Sequence, residues 1–187
     1  MIDLPGQLRI QARANRLANH RLHAAVATLP RNDFHAPRAS YFPSLAATLN
    51  HILAVDGYYL DALTREAAMV TRHRAFRPAE DAAALAERQA ANDDRLIVFC
   101  DGLDAAGCAA EVEMDRGDHL QRDRVAHVLA HLFMHQTHHR GQAHGQLSSS
   151  AVAPPQLDEF LMPSEGHLRR ADMAALGWRE DEVYNER

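Results

Sequence analysis

One segment of this chain carries a histidine at every fourth position, and this spacing restricts what the segment can form. The four residues are His127, His131, His135 and His139. Apolar residues between them recur with a helical period, which predicts one long helix over about Arg122 to Ser148. Residues four apart share one helix face about one turn apart, so any adjacent pair of these histidines is spaced to bind a single metal ion.

The apolar stripe of this helix distinguishes between the histidines. At about 100° per residue, one direction around the helix collects Val125, Val128, Leu132, Gln136 and Ala143. His139 lies about 30° and His135 about 70° from that direction, whereas His131, His138 and His127 lie farther away. We therefore expect His135 and His139 to border the core, and the other three to meet solvent or a partner surface.

A third metal ligand must come from another helix. An apolar helix is predicted over about Phe42 to Arg72, and His51 is its only histidine before the polar end at His73. A single histidine on an apolar helix is more often a hydrogen-bonded core or boundary residue, and each of the three candidates carries that ordinary interpretation. Three imidazoles converging in an apolar interior would need three sets of partners or one cation. Spacing alone leaves the two readings evenly balanced.

The rest of the chain predicts an all-α domain. Two further long helices are expected, over about Gln7–Thr28 and Ala79–Gly102. Glu111–Met114 alternates in polarity and precedes a turn-like segment, which predicts a short β-hairpin before the last long helix. The polar tail is expected to hold short helices, one of them near Gly166–Leu176. Four long helices with a tail, no internal repeat and no linker favour a four-helix bundle.

Composition excludes several classes of partner and compartment. The net charge of -5 provides no basic field to attract nucleic acid. No apolar run reaches the roughly 18 residues that span a bilayer, and the N-terminal residues do not resemble a signal peptide. Cys100 and Cys108 form no disulfide framework and lack the second pair typical of a cysteine zinc site. We expect a cytoplasmic protein with no membrane partner, in which both cysteines are reduced thiols and not metal ligands.

Two motifs resemble those of the DinB/YfiT-like family. Residues His51–Leu60 are similar to the family's first histidine motif, and His135–Gln142 closely resembles its second. The first helix, with Asn15 and Asn19, resembles the family's opening helix, and Pro155–Asp158 resembles the segment after its last bundle helix. The resemblance covers about residues 5 to 162. It departs from the family in the first helix, where Arg13 and Arg16 stand in place of the usual aromatic residues.

The resemblance implies a fold, a metal and an assembly. The fold is a four-helix bundle with an up-down-down-up course over residues 1–162, and residues 163–187 would form a tail packed on the same domain. The metal is one divalent ion per chain, zinc or nickel, with His51, His135 and His139 as its ligands. The assembly is a homodimer.

The implied site is chemically open. Three neutral imidazoles leave the metal its full charge and at least one free coordination position. Such a metal can deprotonate a bound thiol or lower the pKa of bound water. Some family members resemble transferases that use small thiols such as bacillithiol, mycothiol or glutathione, so we expect a metal-dependent transferase that activates a small thiol toward an electrophile.

Two alternatives stay open, and no catalytic residue is assigned. Metal-dependent hydrolysis is one, although no HExxH-type glutamate lies beside the histidines to act as a general base. The other is a non-enzymatic, stress-linked metal-binding or dimeric protein.

Five further residues are candidates for surrounding the metal or its pocket: Asp56, Tyr58, Asn15, Arg140 and Gln142. Asp56 would pair with Arg140, orient a ligand histidine, or form an ordinary salt bridge. Asn15 would donate to a substrate or join two helices. Tyr58 would line the pocket or fill the core, and Gln142 would bound the pocket or make an inter-helix polar contact.

Overall fold

The computed structural model describes residues 3–184, most of which are helical. Residues 1–2 and 185–187 lie outside the described residues; they are the ends of the expected domain (1–162) and of the expected tail (163–187). The helices are α1 (Leu4–Val26), α2 (Arg31–His35), α3 (Leu45–Leu63), α4 (Met69–Arg74), α5 (Ala82–Asp101), α6 (Ala105–Ala109), α7 (Val125–Leu147), α8 (Arg170–Ala175) and α9 (Glu180–Tyr184). Strands β1 (Glu111–Asp115) and β2 (Leu120–Arg124) form an antiparallel hairpin between α6 and α7. A 3-10 turn, Pro163–Glu165, precedes α8.

The long helices begin where short polar side chains satisfy their first free amides. Asp3 accepts a hydrogen bond from the backbone N–H of Gly6 at 2.8 Å, and Ser44 accepts one from that of Ala47 at 3.1 Å. Asp81 does the same for α5. These N-caps fix the starts of α1, α3 and α5, because the first turn of a helix has no internal acceptors for its N–H groups.

The predicted long helix over Phe42 to Arg72 is wrong in its length, because α3 ends at Leu63. Arg65 adopts a left-handed backbone with φ of 58°, and the N–H of Glu66 donates to the carbonyl of Asp61 at 2.8 Å. The chain turns there, and the shorter α4 starts at Met69. The hairpin and the other three long helices occur where the sequence predicts them, within a few residues at each end.

Three clusters of buried apolar side chains hold the helices together. One lies toward the hairpin and joins α3, α7 and β1, with Leu60, Leu129 and Met114 at its centre. A second fills the other end between α1, α3 and α7, and a third packs Met173 and Val183 of the C-terminal helices against α1. Within residues 3–184, no helix is both long and apolar enough to cross a lipid bilayer.

Candidate metal centre

Helices α3 and α7 bring together His51, His135 and His139, which we call the histidine triad. One nitrogen of each imidazole lies within 4.8 Å of a nitrogen of the other two. The Nε2 atoms of His51 and His135 are 3.0 Å apart. Two nitrogens bound at 2.0–2.1 Å to one tetrahedral ion would lie about 3.4 Å apart, so this spacing is close to that of a shared metal.

The three rings pack against one another and against Phe42. Ring centroids of His135 and His139 are 4.3 Å apart, and His51 lies 4.5 Å from His139. Phe42, just before α3, lies 4.5 Å from His51 and 5.6 Å from His139. An aromatic wall of this kind limits the access of water to one side of the histidines.

The electrostatics of the three histidines keep them neutral. Burial and, to a smaller extent, the neighbouring histidines together lower the pKa of His135 to about 3. Burial also lowers the pKa of His51 and of His139. Neutral imidazoles with free lone pairs are the form that binds a metal, so the donor set fits a divalent ion.

The hydrogen bonds around the rings also fit ligation. His139 donates from Nδ1 to Oε1 of Gln142 at 2.8 Å, which leaves its Nε2 lone pair free. Nδ1 of His135 is buried and has no hydrogen-bond partner among residues 3–184. A metal bound at Nε2 of His135 would keep the ring proton on this Nδ1, the same tautomer that His139 adopts.

The other histidines of this part of α7 face away, as the apolar stripe predicts. His127, His131 and His138 are exposed, whereas His139 is buried and His135 is half-buried. His131 nevertheless lies at the edge of the site, because its ring is 6.2 Å from that of His135 and 5.4 Å from that of Tyr59.

A cavity of about 330 Å³ opens beside His135. Helix α4, the hairpin turn and α3 form its walls, and its polar and aromatic lining includes Tyr58, Tyr59, His73, Arg74, Arg116 and His131. The Arg116 guanidinium lies 5.1 Å from the Tyr58 ring centroid, and Tyr58 donates to the carbonyl of Asp115 at 2.9 Å. The aromatic side chains thus hold the arginine in the lining of a cavity that reaches His135.

On the core side of the histidines, seven buried polar side chains from α1, α3, α5 and α7 form a closed hydrogen-bond circuit. We call this the polar ring; its members are Asn15, Asn19, Asp56, Gln89, Asp93, Gln136 and Arg140. Arg140 donates to Gln136, which donates to Asp56. Gln89 donates to both Asp56 and Asp93.

The ring holds two carboxyl groups and one guanidinium in a buried layer. Burial raises the pKa of Asp93 to about 7 and that of Asp56 well above its ordinary value. Burial lowers the pKa of Arg140 to about 10, against the raising effect of the two aspartates. At neutral pH the arginine is therefore charged, whereas burial favours the neutral form of Asp56.

Among the five surrounding candidates, Asp56 and Arg140 do not form the direct pair that the sequence allowed. Among the described residues, Asp56 forms no hydrogen bond or ion pair with Arg140 or with a triad histidine. Its Oδ2 accepts from Gln89 at 2.8 Å and from Gln136. Both donors are neutral side-chain amides, which suit a buried carboxyl group whose charged form is disfavoured by burial. Asn15 joins helices, through Arg140 and through Asp93 at 3.2 Å.

The other candidates lie beside the site. Tyr58 is buried and also lines the cavity next to His135, and Gln142 bonds directly to His139. Cys100 and Cys108 are free, buried thiols outside the histidine group.

Sequence reasoning missed Gln89, Asp93 and Phe42. Gln89 and Asp93 follow Leu85 at intervals of four and precede Leu96, so they continue the buried stripe of α5. This spacing could have placed both residues on the buried face of α5, but an apolar pattern does not include polar side chains. Phe42 lies on a loop before α3, and its contact with the histidines depends on tertiary packing that no local pattern encodes.

Comparison with known proteins gives one match. The family model described as "DinB family" matches residues 10–167. No curated protein and no solved structure matches.

Proposed function

Because this chain belongs to the DinB family, whose model spans most of its length, we propose that it is a metal-dependent transferase that activates a small thiol. His51, His135 and His139 would hold one divalent ion per chain, zinc or nickel. The observation that carries the proposal is the convergence of three neutral imidazoles beside a cavity of about 330 Å³. A cation held there would stabilise the thiolate form of a bound thiol, and so supply the nucleophile.

The cavity residues would position an anionic substrate. Arg74 and Arg116 place two positive charges at its wall, and Gly117 lets the hairpin turn approach Arg74, whose Nη2 would lie 3.1 Å from a Cβ at that position. Small cellular thiols such as glutathione carry carboxylates that these guanidinium groups would bind. Tyr58 and Tyr59 would exclude water from the side of the cavity that faces His135.

Hydrolysis is less well supported by this geometry. The group of closely spaced metal-binding side chains found within residues 3–184 contains three histidines and no carboxylate. Metal-bound water can also lose its proton, but no carboxylate in this group is placed to act as a general base for it, whereas a coordinated thiol needs no such base.

Metal content tests the ligand set. The purified, untagged protein should contain one metal ion per chain, and His51→Ala, His135→Ala and His139→Ala should each reduce it at least tenfold. The matched control is His138→Ala, which removes an exposed histidine from the same helix and should leave the metal content unchanged. Stoichiometric metal in all three triad variants would refute the site.

Thiol conjugation tests the reaction. The metal-loaded protein is incubated with 1-chloro-2,4-dinitrobenzene and, in turn, glutathione, cysteine, bacillithiol and mycothiol. We expect one thiol to react at least a hundredfold faster than without protein, and His135→Ala to abolish the gain.

A cobalt-substituted sample separates binding from catalysis. The active thiol should change its visible absorption, because a thiolate ligand alters the electronic spectrum of cobalt. If no thiol reacts faster and none changes the spectrum, the transferase proposal fails and the non-enzymatic metal-binding role takes its place.

We further propose an up-down-down-up course for the four long helices in a domain of residues 1–162, with residues 163–187 packed on it. Pairs of contacting residues support this course. Along two pairs of helices the residue numbers run in opposite directions, so the helices are antiparallel: α1 and α5 (Arg13–Asp101, Asn19–Asp93) and α3 and α7 (Thr48–Gln146, Tyr59–His131). Between α3 and α5 the numbers run in the same direction (Asp56–Gln89, Asp61–Arg95), so these helices are parallel.

We also propose a homodimer, for which light scattering should give twice the chain mass of 20.8 kDa.

A further inference from the structure

A second cavity, of about 480 Å³, lies between α1, α7 and residues 156–161. It shares no lining residue with the triad or with the cavity beside His135. We propose that it binds a small carboxylate with an apolar body, and that Arg140 is the residue that receives the carboxylate.

Arg140 carries a buried charge whose hydrogen bonds within residues 3–184 go to neutral groups. Its Nη1 donates to side-chain oxygens of Asn15, Asn19 and Gln136, and its side chain forms no direct ion pair among these residues. Asp56 and Asp93 act on it only from a distance, through the amides of the polar ring. Buried charges are ordinarily paired, so a guanidinium with amide partners alone retains the capacity to bind an anion.

Two donors of this guanidinium, Nε and Nη2, have no hydrogen-bond partner among residues 3–184. All hydrogen bonds that Arg140 makes to other described residues use Nη1, and Arg140 lines the cavity. Nε and Nη2 are the pair of donors that binds both oxygens of a carboxylate in a bidentate arrangement. A bound carboxylate would complete the coordination of the arginine without disturbing the polar ring.

The walls of the cavity select an apolar body. Its apolar lining consists of Ala14, Ala18, Phe133, Leu157, Phe160 and Leu161. Two of these are small alanines on α1, and Gly141 on α7 has open space where a Cβ would stand, which together leave room for a ring or a short alkyl chain. The volume lies within the range of small-molecule pockets.

The polar groups at the rim do not oppose this assignment. Asp158 is exposed and accepts a hydrogen bond from Gln156 at 2.7 Å, so its charge is solvated and partnered. His144 bonds through Nε2 to the carbonyl of Pro155 at 3.0 Å and helps to hold the 156–161 segment against α7.

The proposal is tested with 3-phenylpropanoate and its neutral amide, 3-phenylpropanamide, on the full-length protein. Calorimetry should show that the carboxylate binds at least tenfold more tightly than the amide. In a ¹⁵N-labelled sample, the Arg140 Nε–H resonance should shift on titration with the carboxylate. Equal binding of the two compounds would overturn the assignment of Arg140.

A matched pair of variants locates the binding. Gly141→Leu places a side chain in the cavity and should weaken binding at least tenfold. Gly145→Leu makes the same substitution one turn later on α7, also into open space but outside the cavity lining, and should bind as the wild type does. Similar binding by both variants would overturn the proposal.

The metal centre and the cavity beside it, which Arg74 and Arg116 line, form another place that would attract a carboxylate. His51→Ala protein, treated with a chelator, should keep the full affinity for 3-phenylpropanoate, because the cavity does not depend on a metal. Loss of binding in that sample would assign the carboxylate to the triad and refute the second site, whatever the outcome of the thiol experiments.

Discussion

At the scale of single residues, His23 makes folding sensitive to acid. It lies on α1, buried, with an Nδ1 that has no partner among the described residues. Burial lowers its pKa from 6.5 to about 4, and the charges of Arg16 and Arg140 contribute. Below pH 6.5 the unfolded chain therefore binds a proton that the folded chain excludes, so stability falls as the pH drops toward 4.

We predict that His23→Gln reduces this acid sensitivity. Between pH 7 and pH 5, the wild type should lose about 2 kcal/mol more free energy of unfolding than the variant, from 1.36 kcal/mol per pKa unit. Urea unfolding at both pH values, with a chelator present, measures the difference. His127→Gln, at an exposed position on α7, is the control and should follow the wild type. Parallel losses in wild type and His23→Gln would contradict the prediction.

Asp93 has the opposite effect on the pH profile, which is why the comparison needs a variant. Burial raises its pKa to about 7, so the folded chain holds a proton that the unfolded chain releases above pH 3.8. Its contribution to stability therefore increases as the pH falls from 7 toward 3.8. The wild-type profile sums the contributions of every group whose pKa shifts on folding, whereas the difference between wild type and His23→Gln isolates that of the histidine.

At the scale of elements, regular periodicity predicted the long helices and the hairpin, and irregular backbone escaped prediction. The break after α3 depends on Arg65 in a left-handed conformation, which glycine or asparagine usually adopts at the end of a helix. Without that signal, the apolar pattern appeared to continue into α4. The hairpin was predictable because Val112 and Met114 are buried and alternate with exposed Glu111 and Glu113.

In the candidate site too, features that depend on one regular helix were predictable, and features that depend on how the helices pack were not. The angle of His135 and His139 from the stripe of α7 predicted which histidines turn inward, since that depends on one helix alone. Their meeting with His51 required the resemblance, because spacing does not fix how α3 docks on α7. The cavity beside His135 and the polar ring combine loops and several helices, so they follow only from the packed fold.

At the scale of the whole molecule, polar groups link elements that are distant in sequence. The polar ring ties α1, α3, α5 and α7 in one layer, and the histidine triad adds a second link between α3 and α7. A buried network of this kind penalises any rotation or slip of a helix, because the move would leave its amides and carboxyls unpartnered. The apolar clusters supply most of the burial, and the polar layer specifies which helix faces meet.

A metal shared by α3 and α7 should therefore stabilise the entire fold. The ligands come from positions 51, 135 and 139, so the unfolded chain cannot present them together without closing a long loop. At a free metal concentration one hundred times the Kd, stabilisation should be about 2.7 kcal/mol. For a chain of this size that raises Tm by roughly 5–10 °C. Each further tenfold increase in free metal should add about 1.4 kcal/mol.

Thermal unfolding in buffered zinc or nickel, compared with a chelator, measures this shift. His135→Ala should lose most of it, because two histidines on different helices bind the ion weakly, whereas His138→Ala should shift as the wild type does. Magnesium should have no effect at the same concentration, since it prefers oxygen ligands and retains its water. Equal shifts in wild type and His135→Ala would mean that the metal acts elsewhere on the chain, and the link between α3 and α7 would then rest on the polar ring and apolar packing alone.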